Sequence, residues 1–526
     1  MFRILVSDKL GQAGLERLQQ HEEVEFEHRP GMSRAELLSV ISEFDALLVR
    51  SGTQVDADVL QAGTSLRVVG RAGMGVDNID IKAATNRGVI VMNTPGANSI
   101  ATAEHTITLI LAACRQTAQA HQTVADGHWE RSRFSGIQLY RRVLGLIGFG
   151  RIARHVARRA KSFDMEVIAY DPYVSEEIGQ KAGVTLVELD ELFAAADIIS
   201  LHTSLTPETE QIIGGENLSK TKPGVVIVNP SRGKLVDEAA LASALQSGHV
   251  RAAAVDVYSN EPPLDNPLIG LPNVLHTPHL GASTEEAQRD VAVQIVDQVV
   301  DALNNRDFRN SVNMPFSAGP EFSAVLPYMQ LGEKMGILQF HMADAPVRRL
   351  EIEIKGDSVS EFARPIATGV LKGLMDDLVA EPVNYINAPV LAEERGIQIS
   401  QAKGLGTTDY ANAIICRAIW DGGERKIIGV VFGDQPRIVQ VSDYRLDVDP
   451  SGTLLVMLNR DVPGVIGQVG TILGAYGVNI GEWRLGRTEV GGDALSFINI
   501  DSEVSPEVFS ALKNVAAIKK LRLIHL

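Results

Sequence analysis

One glycine-rich turn constrains this chain more than any other feature. Gly148-Phe149-Gly150-Arg151-Ile152-Ala153 follows the apolar run 143–147 and opens a stretch in which Ile152, Val156, Ala160 and Phe163 recur at helical spacing. The next apolar run, 166–170, closes on Tyr170-Asp171, roughly twenty residues beyond the turn. Gly148 permits the tight turn, Gly150 lets the backbone approach a pyrophosphate, and Ala153 is small enough for helix to pack on strand. The phosphates then rest on N–H groups at the helix N-terminus, where unpaired donors and the helix dipole favour anions. Asp171 accepts from both ribose hydroxyls and repels a 2′-phosphate. The pattern therefore predicts NAD rather than NADP, with Arg151, Arg154, Arg158 and Arg159 as the countervailing basic groups.

At about 100–200 residues per domain, 526 residues exceed a single core. Strand-like runs at 3–7, 24–28, 46–50, 67–70 and 89–93 alternate with helical stretches. A second series follows at 143–147, 166–170, 197–201, 225–229, 252–257 and 274–277. Alternation of this kind predicts an α/β chain with two doubly wound parallel sheets. One long helix is expected over 99–123, between the two series, and another over 284–303, where Val291, Ile295 and Val299 step by four. Two prolines and a glycine in 313–320 predict a linker. Residues 321–449 mix helices (329–340, 362–378) with strands (348–355, 414–420, 426–432), and 452–526 run strand, helix, strand, strand, helix, strand, the ferredoxin-like order.

The net charge of −16 disfavours nucleic acid and anionic membranes as partners. It also means that an anionic substrate needs its own arginines. Cys114 and Cys416 lie far apart without metal-ligand spacing, so neither a disulfide framework nor a metal site is expected, and a reducing cytoplasm fits. The opening MFRILVSDKL reads as a strand and not as a signal peptide, and no window approaches the ~18 apolar residues of a membrane helix.

Three segments fall at the C-terminal ends of second-series strands, where open α/β sheets bind ligands. They are Asn229-Pro230-Ser231-Arg232-Gly233, Asp256 through Glu261-Pro262-Pro263, and Thr277-Pro278-His279-Leu280-Gly281-Ala282. Oxidising a 2-hydroxy acid requires a base for the hydroxyl proton, an anion to tune that base and a cation for the carboxylate and developing carbonyl. His279, Glu261 and Arg232 supply these three. The segments N-P-S-R-G-K-L-V-D-E, E-P-P and H-L-G-A-S-T-E-E-A-Q resemble the signatures of the D-isomer-specific 2-hydroxyacid dehydrogenases. Ser231 departs from the alanine more usual there. The resemblance implies catalytic roles for Arg232, Glu261 and His279. It further implies NAD contacts at Gly148, Gly150, Arg151, Ile152, Asp171, Thr203, Pro230, Ser231, Arg232, Asp256, His279, Leu280, Gly281 and Ala282.

Arg50-Ser51-Gly52-Thr53, the run Gly70 to Asp80 and the run Asn93 to Ser99 are similar to the substrate-side loops of phosphoglycerate dehydrogenases. That likeness implies 3-phospho-D-glycerate as substrate, with contacts at Arg50, Ser51, Arg71, Gly75, Val76 and Asn98, and at Arg131 or Arg133, from the same chain or lent by a partner subunit. The C-terminal unit resembles an ACT domain, which binds amino acids between paired copies. It implies L-serine as effector at Asn459, Asp461 and Asn479, and a homo-oligomer, dimer or tetramer. Family likeness also implies a Rossmann-type cofactor domain (98–284) inserted in a discontinuous substrate domain (1–97 and 285–313). An α+β intervening domain (320–450) and the ACT domain (453–526) follow. The alternatives are a dehydrogenase of another D-2-hydroxy acid, 2-hydroxyglutarate included, and a non-catalytic NAD-binding scaffold like the C-terminal-binding-protein corepressors. The acidic charge and the ACT-like end argue against the scaffold. Replacing Asp171 with Ala is expected to weaken NAD binding and to relax discrimination against NADP, measured as the ratio of kcat/KM for the two cofactors.

Overall fold

Ala46–Val49 and Val225–Asn229 are buried at every position, as strands covered on both faces must be. Each lies in the interior of its own parallel sheet. The computed structural model describes residues 1–316, 322–356, 359–380, 382–404 and 410–526. The first sheet contains β1 (Phe2–Val6), β2 (Val24–His28), β3 (Ala46–Val49), β4 (Val68–Arg71) and β5 (Ile90–Met92), in the order β2-β1-β3-β4-β5. The second contains β6 (Val143–Ile147), β7 (Glu166–Tyr170), β8 (Thr185–Leu186), β9 (Ile198–Leu201), β10 (Val225–Asn229), β11 (Val250–Val255) and β12 (Val274–His276). Its order is β12-β11-β10-β9-β6-β7-β8. Both are doubly wound, and their strand order reverses between β1 and β3 and between β6 and β9. Ligand crevices open outside such switch points.

The helix expected over 99–123 is two helices, Ser99–Arg115 and Thr117–Ala125. Gln116 between them is left-handed (φ 50°), and burial ends with it: the first helix buries nine residues and the second none. The helix Glu285–Leu303 leaves the second sheet and lies on the first. There Val291, Ile295, Val296 and Val299 join Ile4, Val6, Leu48 and Val68 in one core. Gly70 makes the fit possible, because a Cβ there would lie 2.6 Å from Val299 and 2.7 Å from Leu48.

The linker predicted over 313–320 begins instead as part of that core. Ser311 bridges to Met92, Asn313 accepts from the Val91 amide, and Phe316 is buried against Phe322. Its remainder, 317–320, and the start of the intervening unit at 320 lie outside the described residues. The helix Phe322–Met342 starts earlier than the sequence suggests, since Phe322, Val325 and Met329 still belong to the first core. Leu331, Met335 and Leu338 enter the next one.

The intervening unit holds a six-stranded sheet. Its strands are β13 (Val347–Lys355), β14 (Gln398–Lys403), β15 (Ala413–Trp420), β16 (Gly423–Phe432), β17 (Gln435–Val441) and β18 (Tyr444–Val448). Three of these were not legible: β14 (QISQAK) and the β17–β18 hairpin lie toward the sheet's two ends, β14 carries few apolar residues, and β18 (YRLDV) is only five residues long. The C-terminal sheet has β19 (Thr453–Arg460), β20 (Ile480–Arg487), β21 (Asp493–Ile500) and β22 (Ile518–His525), antiparallel in the order β20-β21-β19-β22. Leu455, Met457 and Ile498 face its two helices, while Leu454, Val456, Phe497 and Ile524 pack into the intervening core. Ile295→Ala is expected to destabilise the chain by about 2–5 kcal/mol, as core truncations of this size do. The urea midpoint of the first unfolding transition checks it.

Candidate active site

The crevices of the two sheets share one cleft of about 780 Å³. From the first sheet it is lined by Arg50, Ser51, Arg71, Gly75, Asp77 and Asn78. From the second come Thr203, Pro230–Arg232, Glu261 and His279–Ala282, of which Leu280 alone does not line it. Val76 turns away into the core on the other face of the first sheet, opposite the helix Glu285–Leu303. Gly148, Gly150 and Asp171 sit beside the cleft at the β6 and β7 ends.

Gly148 has φ +88° and lies so close to the next strand's exit that a Cβ would come within 2.6 Å of the His202 carbonyl. Only glycine fits there. Nothing lies within 4 Å of where a Cβ of Gly150 would sit, and the helix Arg151–Lys161 that it caps has no side-chain cap. Its first N–H groups are thus open to an anion, as a dinucleotide pyrophosphate requires. Asp171 accepts from the amides of Phe149 (2.8 Å) and Tyr173 (3.0 Å), which holds its carboxylate at the end of β7. The Arg151 guanidinium reaches the Pro95 carbonyl (2.9 Å).

His279 is in the left-handed region (φ 56°), which a non-glycine residue adopts only where its surroundings impose it. Asp256, fully buried after β11, imposes it. Its carboxylate accepts from the amides of Leu280 (2.7 Å) and Gly281 (2.9 Å) and from the Thr277 hydroxyl (2.6 Å). Its own carbonyl accepts from the His279 amide (2.8 Å). The fourth partner of that carboxylate, His105, stands at 3.2 Å. Burial works against the Asp256 charge, but the hydrogen bonds of His105, Thr277 and Leu280 prevail and lower its pKa.

With its backbone so held, His279 places Nδ1 2.8 Å from Glu261 Oε2, and Glu261 Oε1 accepts from the Tyr258 amide at 3.1 Å. Burial opposes the Glu261 charge too, and is outweighed by the hydrogen bond and charge of His279, so its pKa is lowered. The Arg232 turn is built by Asn229, which donates to the Arg232 carbonyl (2.8 Å), while Ser231 Oγ donates to the Thr203 carbonyl (2.8 Å). Gly233 admits the neighbouring loop, since a Cβ there would overlap the Tyr258 carbonyl carbon. Arg71 is largely buried. Desolvation and repulsion from Arg232 lower its guanidinium to about 10, against the attraction of Asp77, which leaves it charged at neutral pH.

Comparison with known proteins fits this geometry. Residues 107–281 match the family described as D-isomer specific 2-hydroxyacid dehydrogenase, NAD binding domain. Residues 324–442 match the D-3-phosphoglycerate dehydrogenase intervening domain and 453–517 the ACT domain. The D-3-phosphoglycerate dehydrogenase of Methanocaldococcus jannaschii is 42% identical over 527 residues, covering 100% of both chains. This chain belongs to the D-3-phosphoglycerate dehydrogenase family. The Bacillus subtilis member is 39% identical, again over 100% of both chains. Among solved structures, the TT0316 protein of Thermus thermophilus aligns with a TM-score of 0.55 and 35% identity, covering 59% of this chain and 99% of its own. A glyoxylate reductase from Paecilomyes thermophila aligns at 0.55 and 31%, covering 61% and 98%.

Other family-derived positions fall elsewhere. Arg131 and Arg133 lie exposed on a short turn and are not among the residues lining this chain's cleft, because the segment after Gln116 leaves the sheet surface. In the ACT unit Asn459 is interior to β19, paired with β21 and β22, and 3% exposed, with its amide donating to the Arg460 carbonyl. Asp461 is held by Arg487 at 3.0 Å, and Asn479 donates to Asp501 at 2.5 Å. Asp8, Asp77, Asn78 and His105 were not singled out from the sequence. For the first three the signal was their place just beyond β1 and β4. His105 stands mid-helix and had none. Among the described residues no helix is long and apolar enough to cross a membrane, and no group of three or more His, Cys, Asp or Glu could hold a metal.

Because the Asp256 pKa is lowered on folding, its carboxylate stabilises the fold above the ordinary value of 3.8, and that contribution is lost as pH falls through the lower folded value. Asp256→Asn is expected to cost about 1–3 kcal/mol at pH 7 and to flatten the acid limb below pH 4, read from melting curves between pH 7 and 3.

Proposed function

We propose that this chain oxidises the C2 hydroxyl of 3-phospho-D-glycerate to give 3-phosphooxypyruvate, with NAD, as the first step of L-serine biosynthesis. The observation that carries this reading is one cleft lined by both the His279–Glu261 pair and three arginines, Arg232, Arg71 and Arg50.

NAD would supply the hydride acceptor, and Gly148, Gly150, Ile152, Asp171, Thr203, Asp256 and Ala282 are among the residues that would hold it. His279 Nδ1 is committed to Glu261, so Nε2 takes the hydroxyl proton, and the Glu261 carboxylate stabilises the imidazolium that forms. Arg232 holds the substrate carboxylate and polarises the carbonyl as it develops. Arg50 and Arg71 take the phosphate, offsetting a chain whose net charge of −16 would otherwise repel it.

We further read the chain as a cytoplasmic homo-oligomer. Its cofactor domain (98–284) interrupts a substrate domain (1–97 and 285–313), with an intervening domain from 320 to 450 and an ACT domain from 453 to 526. L-serine is the effector this ACT unit fits. Its ammonium would exchange with Arg487 for the Asp461 carboxylate, and Asn479 would supply polar contacts.

The test is NADH absorbance with a panel of 2-hydroxy acids, with and without L-serine, on the intact chain and on His279→Ala and Arg232→Ala. Both variants are expected to lose ~10²–10⁴-fold in turnover while NAD affinity stays within a few-fold. Near-wild-type rates in either remove the mechanism, and a better substrate than 3-phospho-D-glycerate removes the assignment. Serine without effect at millimolar concentration removes the regulatory reading alone.

A further inference from the structure

The loop after β4 places two adjacent polar residues between the two ends of the cleft. Asp77 reaches across to the second sheet, where its Oδ2 accepts from Arg232 Nε at 2.9 Å. Arg232 Nη1 donates to the Ser231 carbonyl at 2.8 Å, and Nη2 lies against Gly75, close enough that a Cβ there would stand 2.1 Å away. With Nε and Nη1 engaged, the plane of the guanidinium is fixed and Nη2 is the edge presented over the Gly75 loop.

Asn78, the next residue, turns the other way. Its Nδ2 donates to the carbonyls of Arg50 and Thr53, both at 2.7 Å. Asp8 closes the same loop from the opposite side, accepting from the amides of Arg50 (2.6 Å) and Thr53 (3.1 Å) and from the Thr53 hydroxyl (2.9 Å). These contacts hold the backbone of Arg50–Thr53, the segment that carries Arg50 and Ser51 into the cleft.

Stability does not account for Asp77. Its side chain is 63% exposed, and exposed ion pairs add little to stability. A carboxylate beside a pocket for an anion also repels the ligand. It is tolerable where it directs a cation rather than meets the substrate. Backbone carbonyls held by an amide side chain, likewise, orient a loop without touching what the loop binds.

We propose that Asp77 and Asn78 are a divided positioning device. Asp77 orients Arg232 for the reacting end of the substrate, and Asn78 with Asp8 holds the Arg50–Thr53 loop for its phosphate end. This rests on the roles given above to Arg232 and Arg50. Since Asp77 and Arg232 come from different sheets, the orientation of the guanidinium is also tied to how closely the two halves approach.

The two halves of the device predict opposite kinetic signatures. Asp77→Ala lowers kcat at least tenfold and leaves the KM for 3-phospho-D-glycerate within threefold. Asn78→Ala raises that KM at least tenfold and leaves kcat within threefold. It also leaves unchanged the competitive inhibition constant of D-glycerate, which has the same carboxylate and hydroxyl but no phosphate. Asn78→Asp, which keeps the side-chain size but replaces the donor with a charge facing two carbonyls, shifts KM the same way. Melting curves within a few degrees of wild type confirm that the variants fold. Unchanged kcat in Asp77→Ala overturns the first half, and KM and inhibition constant rising together in Asn78→Ala overturn the second. Arg232→Ala is the control: full turnover there sinks the underlying site reading instead.

Discussion

Much of the active site hangs on one buried carboxylate. Asp256 has no exposed surface, and its charge is sustained by two consecutive backbone amides, a threonine hydroxyl and a histidine. An ionised group in such a place is costly unless its lone pairs are filled. The turn that fills them is the turn that forces His279 into a left-handed conformation. The geometry of the base is thus a by-product of satisfying a buried acid. Because the two amides belong to Leu280 and Gly281, the histidine between them and β12 has little freedom left. Glu261 then fixes the ring.

The same logic, an acid satisfied by backbone donors, recurs on the opposite wall. Asp8 stands at the end of β1 as Asp256 stands at the end of β11, and each collects amides from a loop belonging to another strand. A parallel sheet leaves its strand ends side by side, so a short acidic side chain after one strand reaches the loop after the next. Negative charge used in this way faces amides, and the cleft itself stays cationic through Arg50, Arg71 and Arg232 within an acidic protein. Short-range hydrogen bonds dictate the local sign of the field, and the distant surface charge is screened beyond about a Debye length.

The helix Phe322–Met342 gives the chain its continuity. Its first turns lie in the core beneath the first sheet, and its later turns lie in the core shared by the intervening and C-terminal sheets. Tyr385 and Asn384 add a second attachment, the tyrosine donating to Glu333 on that helix and the asparagine reaching the Gly88 carbonyl. One rigid element therefore passes from the face opposite the ACT helices to the underside of the substrate-side sheet. Close packing makes such an element transmit displacement rather than absorb it.

The cofactor turn was readable because its chemistry is local: Gly148, Gly150 and Asp171 lie within one strand–turn–helix–strand unit, and each residue type is dictated by backbone geometry or by the ligand's charge. Arg232, Glu261 and His279 were readable because each follows a strand, and strands of a parallel sheet deliver their ends to one edge. Edge strands such as β14 were missed, since a strand with few apolar residues leaves no periodic trace. For Asn459 the motif gave a position in sequence but not which side of a sheet it faces. The amino-acid sequence alone determined two doubly wound sheets, the dinucleotide turn and the residues able to do the chemistry, all short-range consequences of periodicity and of glycine. Tertiary structure alone decided that Asp77 meets Arg232 across 155 residues of chain, that His105 supports Asp256, and that Asp461 is already paired. Those contacts depend on how separate sheets and loops pack against one another, which no local pattern records.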